Sequence, residues 1–263
     1  VTVRVDGQSY AATDNGDGTW TAQVPGADLA AAQDTTVTAE ATFADVAGNA
    51  SAPVTGSQSY TVDIAAPDTS TTTVSVGVIA GDGVVNSTEA GATVPVNVTL
   101  ANVPADAATT TVNVRVNGQS YAATDNGDGS WTAQVPGNVL ANAQDTTVTA
   151  EATFADAVGN ASAPVTGSQS YAVDTTAPST TVAISDADGD NKPTVSGTVS
   201  EPGSTVTVTW PDGTTVQVPT DASTGAWTVT APVEQPNGTV NTVVTDAAGN
   251  AGPGDNASWT ADT

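Results

Sequence analysis

The chain has 263 residues, with 28 Asp and Glu against three Lys and Arg, no His and no Cys, and a formal charge of −25. This charge disfavours nucleic acid and anionic membrane surfaces as partners, because phosphate binding requires clusters of Lys and Arg. Cations are therefore the expected partners. The absence of Cys excludes a disulfide framework and a thiolate site. No apolar run approaches the length of a transmembrane helix, so we expect no direct membrane insertion within this chain.

A long internal repeat organises the chain. Residues 1–63 return almost unchanged at 112–174, and a diverged copy follows with the segments PDGTTVQVP, TGAWTVTAP and VTDAAGNAG. The offset of 111 residues between Val1 and Val112 is far above the period of solenoid repeats and near the usual size of a domain. The repeat therefore predicts an array of modules. We place an incomplete first module at 1–64, a second at 65–175 and a shorter third at 176–263.

The first module is predicted to be incomplete because Val1 aligns with Val112. The counterpart of residues 67–111, which should supply the first strands of the fold, does not occur before Val1 in this chain. We expect the exposed edge that results to fray or to pair with another strand.

Strand patterns dominate the sequence. Segments such as TVPVNVTL and TVTVTW alternate β-branched and polar residues, and turn sequences such as PDG, PNG and AGN separate them. In the second module this predicts strands at 72–79, 93–100, 111–116, 120–124, 131–135, 147–154 and 169–173. In the third it predicts strands at 182–185, 194–200, 205–210, 214–218, 227–230, 240–245 and 257–261. The predicted fold class is all-β, with immunoglobulin-like antiparallel β-sandwich modules in an elongated array.

A few other segments carry more specific predictions. Residues 26–35 and 137–146 each predict one short helical turn, because a Leu follows a Pro-Gly break among alanines. The aromatic residues predict core anchors rather than a ligand platform, since nothing clusters several of them on one loop. These anchors are Trp20, Trp131, Trp227, Phe43, Phe154, Tyr60 and Tyr171, whereas Trp210 and Trp259 stay open.

Acidic residues collect at predicted loops and linkers. One set closes each module, at Asp63, Asp174 and Asp262. A second set opens the loop before each last strand, at Asp45, Asp156 and Asp246, four residues before the Asn of a Gly-Asn pair. A third occupies the loop after each first strand, at Asp82, Asn86 and Glu89 in the second module and at Asp186, Asp188 and Asp190 in the third.

Sandwich topology should bring these sets together at the joints between modules. We expect Asp174 to approach Asp246 and Glu201, and Asp63 to approach Asp156. Converging carboxylates repel unless a cation lies among them, and hard oxygen ligands on flexible loops suit Ca²⁺. The predicted calcium ligands are Asp63, Asp156, Asp174, Glu201, Asp246, Asp82, Glu89, Asp186, Asp188, Asp190 and Asp262.

An alternative without metal applies to the same residues, because Asp and Asn are common in turns where they bond nearby backbone amides. We favour this interpretation for DNGDG at 14–18 and 125–129, and calcium for the linker Asp with its loop partner. DADGDNKP resembles the start of an EF-hand loop, but its twelfth position is Gly197 rather than Glu.

Four motifs, repeated in the same order, carry a family resemblance. The ending VDTTAP, the loop TDAAGNA, the pair DGTW and TGAW, and the segment IAGDGVVNSTEAG resemble the bacterial immunoglobulin-like repeats of giant biofilm-associated and RTX-type adhesins. The resemblance implies non-enzymatic extender modules on the surface of a Gram-negative bacterium, secreted by a type I system. It also implies calcium at the linkers and neighbouring modules as partners, with the terminal ligand outside this region.

Three function classes follow. The leading one is mechanical spacing, in which calcium stiffens the linkers of an extender that projects a terminal binding domain for adhesion and biofilm formation. The second is direct binding of a carbohydrate, ice or another adhesin copy by the repeats themselves. An enzyme is the least favoured, since the chain lacks His and Cys and its carboxylates recur at every joint.

Overall fold

The computed structural model describes residues 1–262, so Thr263, the end of the predicted third module, lies outside the described residues. Its contacts divide the chain into two compact units. The first unit holds Val1–Pro67 and Ala155–Ala161, and the second holds Asp68–Phe154 and Ser162–Thr263. The predicted module boundaries stay a prediction, and we keep first, second and third module as names for those ranges.

The first module forms one antiparallel sheet. Its elements are β1 (Thr2–Val5), β2 (Gln8–Asp14), β3 (Trp20–Ala22), α1 (Gly26–Ala31), β4 (Thr36–Ala41) and β5 (Val54–Ser59). The strand order is β3-β2-β1-β4-β5. Asp6 and Gly7 both take positive φ, at 44° and 80°, in the turn between β1 and β2. An Asp-Gly pair suits this turn because both residues tolerate positive φ better than others do.

The second module carries counterparts of these five strands and four more. Its elements are β6 (Thr73–Val76), β7 (Val84–Val85), α2 (Ser87–Ala90), β8 (Thr93–Ala101), β9 (Thr109–Val116), β10 (Gln119–Asp125), β11 (Ser130–Pro136), α3 (Gly137–Ala141), β12 (Thr147–Ala155), β13 (Val165–Ser170) and β14 (Ala172–Val173). Seven of these strands join in the order β13-β12-β9-β10-β11-β8-β6. β10 pairs with β9 through its first half and with β11 through its second, so it links the two layers of the predicted sandwich.

The core of the second module follows from alternation along its strands. In β8, every second residue is buried, beginning at Val94, while the residues between them are exposed. β12 alternates between half-buried and buried residues, and its last buried residue is Phe154, which is 1% exposed. Side chains of successive strand residues point to opposite faces, so each strand buries one apolar row.

The third module forms two sheets around a separate core. Its strands are β15 (Ala183–Ser185), β16 (Thr194–Thr198), β17 (Thr205–Thr209), β18 (Thr215–Pro219), β19 (Ala226–Thr230), β20 (Gly238–Thr245) and β21 (Ala251–Trp259). The sheet orders are β15-β16-β19 and β18-β17-β20-β21. Val195, Val206, Val208, Val240 and Val244 fill this core with three tryptophans. The predicted all-β fold class is confirmed.

Two strand predictions were wrong at their starts. The last strand of the second module was predicted at 169–173 and begins at Val165, and that of the third was predicted at 257–261 and begins at Ala251. Glycine and proline in these stretches suggested loops. Gly252 is in β21 for another reason, since a side chain there would collide with the carbonyl oxygen of Pro178.

Both short helical turns are confirmed, as α1 and α3. Two elements of the second module were not predicted. β7 pairs with β14 in parallel. α2 begins with a capping box between Asn86 and Glu89, and the spacing of these two residues was the available signal for it.

The aromatic prediction was right for most positions and wrong for two. Trp227, Phe154 and Tyr171 are buried core residues, but Trp20 is 46% and Phe43 65% exposed. The first module has no strands equivalent to β6 and β8 among residues 1–262, and nothing covers these two rings. Trp210 and Trp259, left open by the sequence, are 2% and 8% exposed and belong to the core of the third module.

Candidate functional site

The loop before the last strand of each module has a fixed internal geometry. In the third module, the carboxylate of Asp246 accepts hydrogen bonds from the main-chain and side-chain amides of Asn250, both over 2.8 Å. Gly249 lies between them with φ 88°, a conformation that favours glycine. The short AGN segment therefore turns the chain tightly and holds the carboxylate of Asp246 in one orientation, while Asp246 is only 7% exposed.

The linker residue Asp174 is positioned by main-chain pairing. β14 runs parallel to β7, and the amide of Asp174 donates to the carbonyl of Val85 over 3.0 Å. The carboxylate of Asp174 accepts from the amide of Thr176 over 3.1 Å. These bonds fix the position of Asp174, where the chain leaves the second module.

The third carboxylate comes from the turn between β16 and β17. Glu201 begins this turn, and its carbonyl accepts from the hydroxyl of Ser204 over 2.7 Å. The structure brings Glu201 together with Asp174 and Asp246, and one ligand oxygen from each lies within 4.8 Å of the others. The three residues were predicted to meet at this joint.

Burial, and then the neighbouring carboxylates of Asp174 and Asp246, raise the pKa of Glu201. Part of the cost of ionising Glu201 is thus electrostatic repulsion, which a cation among the three carboxylates would remove. Three carboxylates on loops match the oxygen ligands that calcium takes, and backbone carbonyls or water complete such shells. The residues present therefore fit a calcium ion, and Asp174, Glu201 and Asp246 are the side chains that would hold it.

The same joint is closed by the start of α2. The side-chain amide of Asn86 donates to the carbonyl of Ala248 over 3.0 Å. The amide of Ser87 donates to the side-chain oxygen of Asn250 over 2.7 Å. Asn250 is 1% exposed, so these bonds lie in a closed interface between the second and third modules. The sequence predicted Asn250 only as part of a turn. Its repeated position after Gly was the available signal for its role at the joint.

The first unit contains a related arrangement at Asp63 and Asp156. The side-chain amide of Asn160 donates to the carbonyl of Asp63 over 3.1 Å and to the carboxylate of Asp156 over 2.8 Å. The hydrogen bond from the side chain of Asn160 lowers the pKa of Asp156, and hydrogen bonds from main-chain amides of the loop lower it further. Burial offsets part of this effect, because it raises the pKa. Within residues 1–262, no third acidic side chain completes a cluster with this pair as Glu201 does at the other joint.

A second acidic group lies in the loop between β15 and β16. Asp186, Asp188 and Asp190 can bring one oxygen each within 4.8 Å of the others. Lys192 pairs with Asp190 over 3.2 Å, and amides of the loop donate to Asp186. The carboxylates of Asp186 and Asp190 therefore already have hydrogen-bond or ion-pair partners within this loop.

The remaining predicted ligands have other contacts. The carboxylate of Glu89 accepts from the amide of Asn86 in the capping box of α2. The carboxylate of Asp82 accepts from the amide of Val84 in an exposed turn. The main chain of Asp262 exchanges two hydrogen bonds with the side chain of Asn191. The structure does not bring these three side chains into a cluster, and their role as metal ligands stays a prediction.

Comparisons with known proteins identify the family of these modules. Residues 177–261 match the family model of the bacterial Ig domain. A bacterial immunoglobulin-like domain from the ice-binding adhesin of M. primoryensis is 38% identical, and the match covers 39% of this chain and 96% of that domain, with a TM-score of 0.34. The chain belongs to the bacterial immunoglobulin-like family. A search of curated proteins finds no match.

A longer relative covers nearly the whole array. A Ca²⁺-stabilised adhesin with which an Antarctic bacterium reaches out and binds ice is 33% identical, with a TM-score of 0.70 over 99% of this chain. This chain spans 64% of the length of that structure. These bacterial immunoglobulin-like repeats are thus similar to the repeat regions of large, surface-associated bacterial adhesins, a structural and adhesive class. Within the described residues, no helix has the length and apolar character needed to cross a membrane.

Proposed function

We propose that the chain is an extender region of a large secreted adhesin on the surface of a Gram-negative bacterium, in which calcium stiffens the joints between modules. The observation that carries this proposal is the meeting of Asp174, Glu201 and Asp246 at the joint between the second and third modules. The region acts mechanically rather than catalytically. It holds a terminal binding domain away from the cell for adhesion and biofilm formation.

The residues of the joint have separate roles. β7 fixes where Asp174 leaves the second module, while the turn bonds of Asn250 and Ser204 orient the loops that carry Asp246 and Glu201. A bound calcium ion supplies positive charge that links these three loops. Without the ion, the three carboxylates repel one another, and the linker between the modules bends more freely.

The energetic consequence follows from mass action. An ion that binds only the closed joint, at a concentration about 100 times its Kd, stabilises that state by about 2.7 kcal/mol. The effect repeats at each joint of an array that carries such a site. Stiffness therefore depends on calcium, while the folds of the second and third modules rest on their own apolar cores.

Small-angle X-ray scattering and thermal unfolding of the full chain, in calcium and in chelator, test the proposal. We expect chelation to shorten the average end-to-end distance and to lower the melting temperature of the third module. Glu201→Gln should abolish both responses, whereas Glu234→Gln, at an exposed position, should keep them. Scattering and melting curves that calcium leaves unchanged would rule out the proposal.

A further inference from the structure

The end of the second module is held by main-chain hydrogen bonds to the loop after its first strand. β14 runs parallel to β7, and the amide of Ala172 donates to the carbonyl of Gly83 over 2.8 Å. The amide of Asp174 donates to the carbonyl of Val85 over 3.0 Å. Val85 is fully buried, so β7 is itself fixed in the apolar core. We call the bonds from Ala172 and Asp174 the exit bonds of the second module.

The third module holds its end in the same place with a side chain instead. The amide of Asp262 donates to the side-chain oxygen of Asn191 over 2.8 Å. The side-chain amide of Asn191 donates to the carbonyl of Asp262 over 3.3 Å. Asn191 also lies in the loop after the first strand of its module, between β15 and β16. These two bonds are the exit bonds of the third module, and they repeat an arrangement that the two loop sequences do not share.

The loop at Asn191 is itself anchored. Asn191 has φ 59°, in the left-handed region that Asn adopts more readily than most residues. Its main-chain amide donates to the carboxylate of Asp186 over 3.0 Å, and its carbonyl accepts from the amide of Gln235 over 2.9 Å. Gln235 is 2% exposed, and its carbonyl accepts from the indole of Trp259 over 3.2 Å. A load on Asn191 is therefore passed to the core of the third module.

The direction of a pull decides how the exit bonds are loaded. Tension from the start of the second module reaches β7 at its first residue, Val84, whereas tension from the end reaches β14 at its last residue, Val173. Because the two strands are parallel, these forces point in opposite directions along the pair, and its hydrogen bonds must break together. An antiparallel hairpin that is pulled apart at its two ends opens one bond at a time. Unfolding under force depends on the unfolding barrier, so bonds that break together resist it better.

We propose that the exit bonds are the force-bearing contacts of the second and third modules, and that each module stays folded under tension until they break. The inference rests on the proposed function, since an extender that holds a bound target is under load. It concerns other atoms than the calcium site does. The exit bonds use the main chain of Asp174 and lie within one module, while the proposed site uses its carboxylate together with Glu201 and Asp246. The exit bonds therefore act with or without calcium.

Single-molecule force spectroscopy of the full chain, pulled by handles at its two ends in chelator, tests this inference. The second and third modules give separate unfolding steps, because the second is longer and releases more chain. Ala172→Pro removes one of the two main-chain donors and should lower the unfolding force of the longer step by about half. Asn191→Gly removes the side chain but tolerates the positive φ, and it should lower the force of the shorter step by at least about half.

Each variant is the control for the other, because the step of the unchanged module should keep its force. Ala172→Val retains the main-chain donor and should keep the wild-type force, since Ala172 is exposed. Val98→Ala leaves a cavity in the core of the second module, away from the exit bonds. It should lose more equilibrium stability in urea than Ala172→Pro does, yet lower the unfolding force less.

Two outcomes would overturn the proposal. One is an unfolding force that Ala172→Pro or Asn191→Gly leaves unchanged. The other is a loss of force in Val98→Ala as large as that in Ala172→Pro, which would mean that the force follows overall stability. Neither outcome concerns calcium binding. Scattering curves that calcium leaves unchanged would contradict the proposed function, and they would not alter the forces measured in chelator.

Discussion

Asn250 donates its side-chain amide to the main-chain carbonyl of Asp174 over 2.9 Å, which joins the third module to the end of the second. The same amide group donates to the carboxylate of Asp246 over 2.8 Å. One asparagine therefore fixes both the linker and a proposed metal ligand. Asn160 makes the equivalent pair of bonds to the counterparts of these residues in the first unit. This pair of hydrogen bonds therefore occurs in both copies.

Replacing Asn250 with Ala should loosen the joint by about 1–3 kcal/mol, because it leaves buried partners without their hydrogen bonds. The matched control is Asn49→Ala. Asn49 occupies the same place in the first module, is exposed, and bonds within its own loop to Asp45. Urea unfolding in chelator, followed by tryptophan fluorescence, measures both variants. Equal losses at the two positions would show that the asparagine serves only its own turn.

Calcium binding should weaken as the pH falls through the raised pKa of Glu201. The pKa of Glu201 is raised in the folded chain, so without metal the folded state holds this proton more tightly than the unfolded state does. Above the pKa of the folded state, the ionised side chain of Glu201 therefore lowers the stability of the chain. This loss of stability disappears as the pH falls through that pKa and the side chain takes up its proton. Calcium needs the ionised form and must displace the proton. Titration calorimetry at about pH 7 and about pH 5 should show the loss of affinity.

The matched variant for this pH experiment is Glu201→Gln. It removes the group that titrates and should leave a weak affinity that changes less between the two pH values. A wild-type affinity that stays constant over this range would contradict the assignment of Glu201 as a ligand.

Phe154→Ala should destabilise the second module by about 3–5 kcal/mol, because it leaves a cavity in a closed core. Phe43→Ala, the same substitution in the same sequence context, should change stability by less than about 1 kcal/mol, since Phe43 is 65% exposed. Urea unfolding of the two variants makes the comparison. Similar losses would indicate that the first module closes its core in solution.

Glycine-to-alanine substitutions should also affect the stability of the first and second modules differently. Gly167→Ala should destabilise the second module by about 1–3 kcal/mol, because the new methyl group collides with the carbonyl of Val74. Gly56→Ala should be neutral or slightly stabilising, since the methyl group meets open space and the unfolded chain loses freedom. Thermal unfolding checks both variants. A large loss at Gly56 would mean that another strand approaches it.

The sequence alone predicted the fold class, the strand pattern and the joint. Alternation of valines with polar residues determines strands such as β8 and β12, because each strand must bury one face. The repeat predicted the meeting of Asp174, Glu201 and Asp246, because loops at the ends of a sandwich can only meet loops of the next module. Strand alternation and the repeat are sufficient for these features.

Tertiary contacts decided the rest. The shared sequence WTAQVP lies in a seven-residue strand at β11 but supplies only a three-residue strand at β3, because β11 pairs with β8 as well as with β10, whereas β3 pairs with β2 alone within residues 1–262. Glycines that suggest a loop occur inside β21, because another backbone passes where a side chain would stand. Phe43 and Phe154 have the same local sequence, and only the presence of strands β6 and β8 makes one a core residue. Burial depends on what lies across the interface, and that is not encoded in the residues being buried.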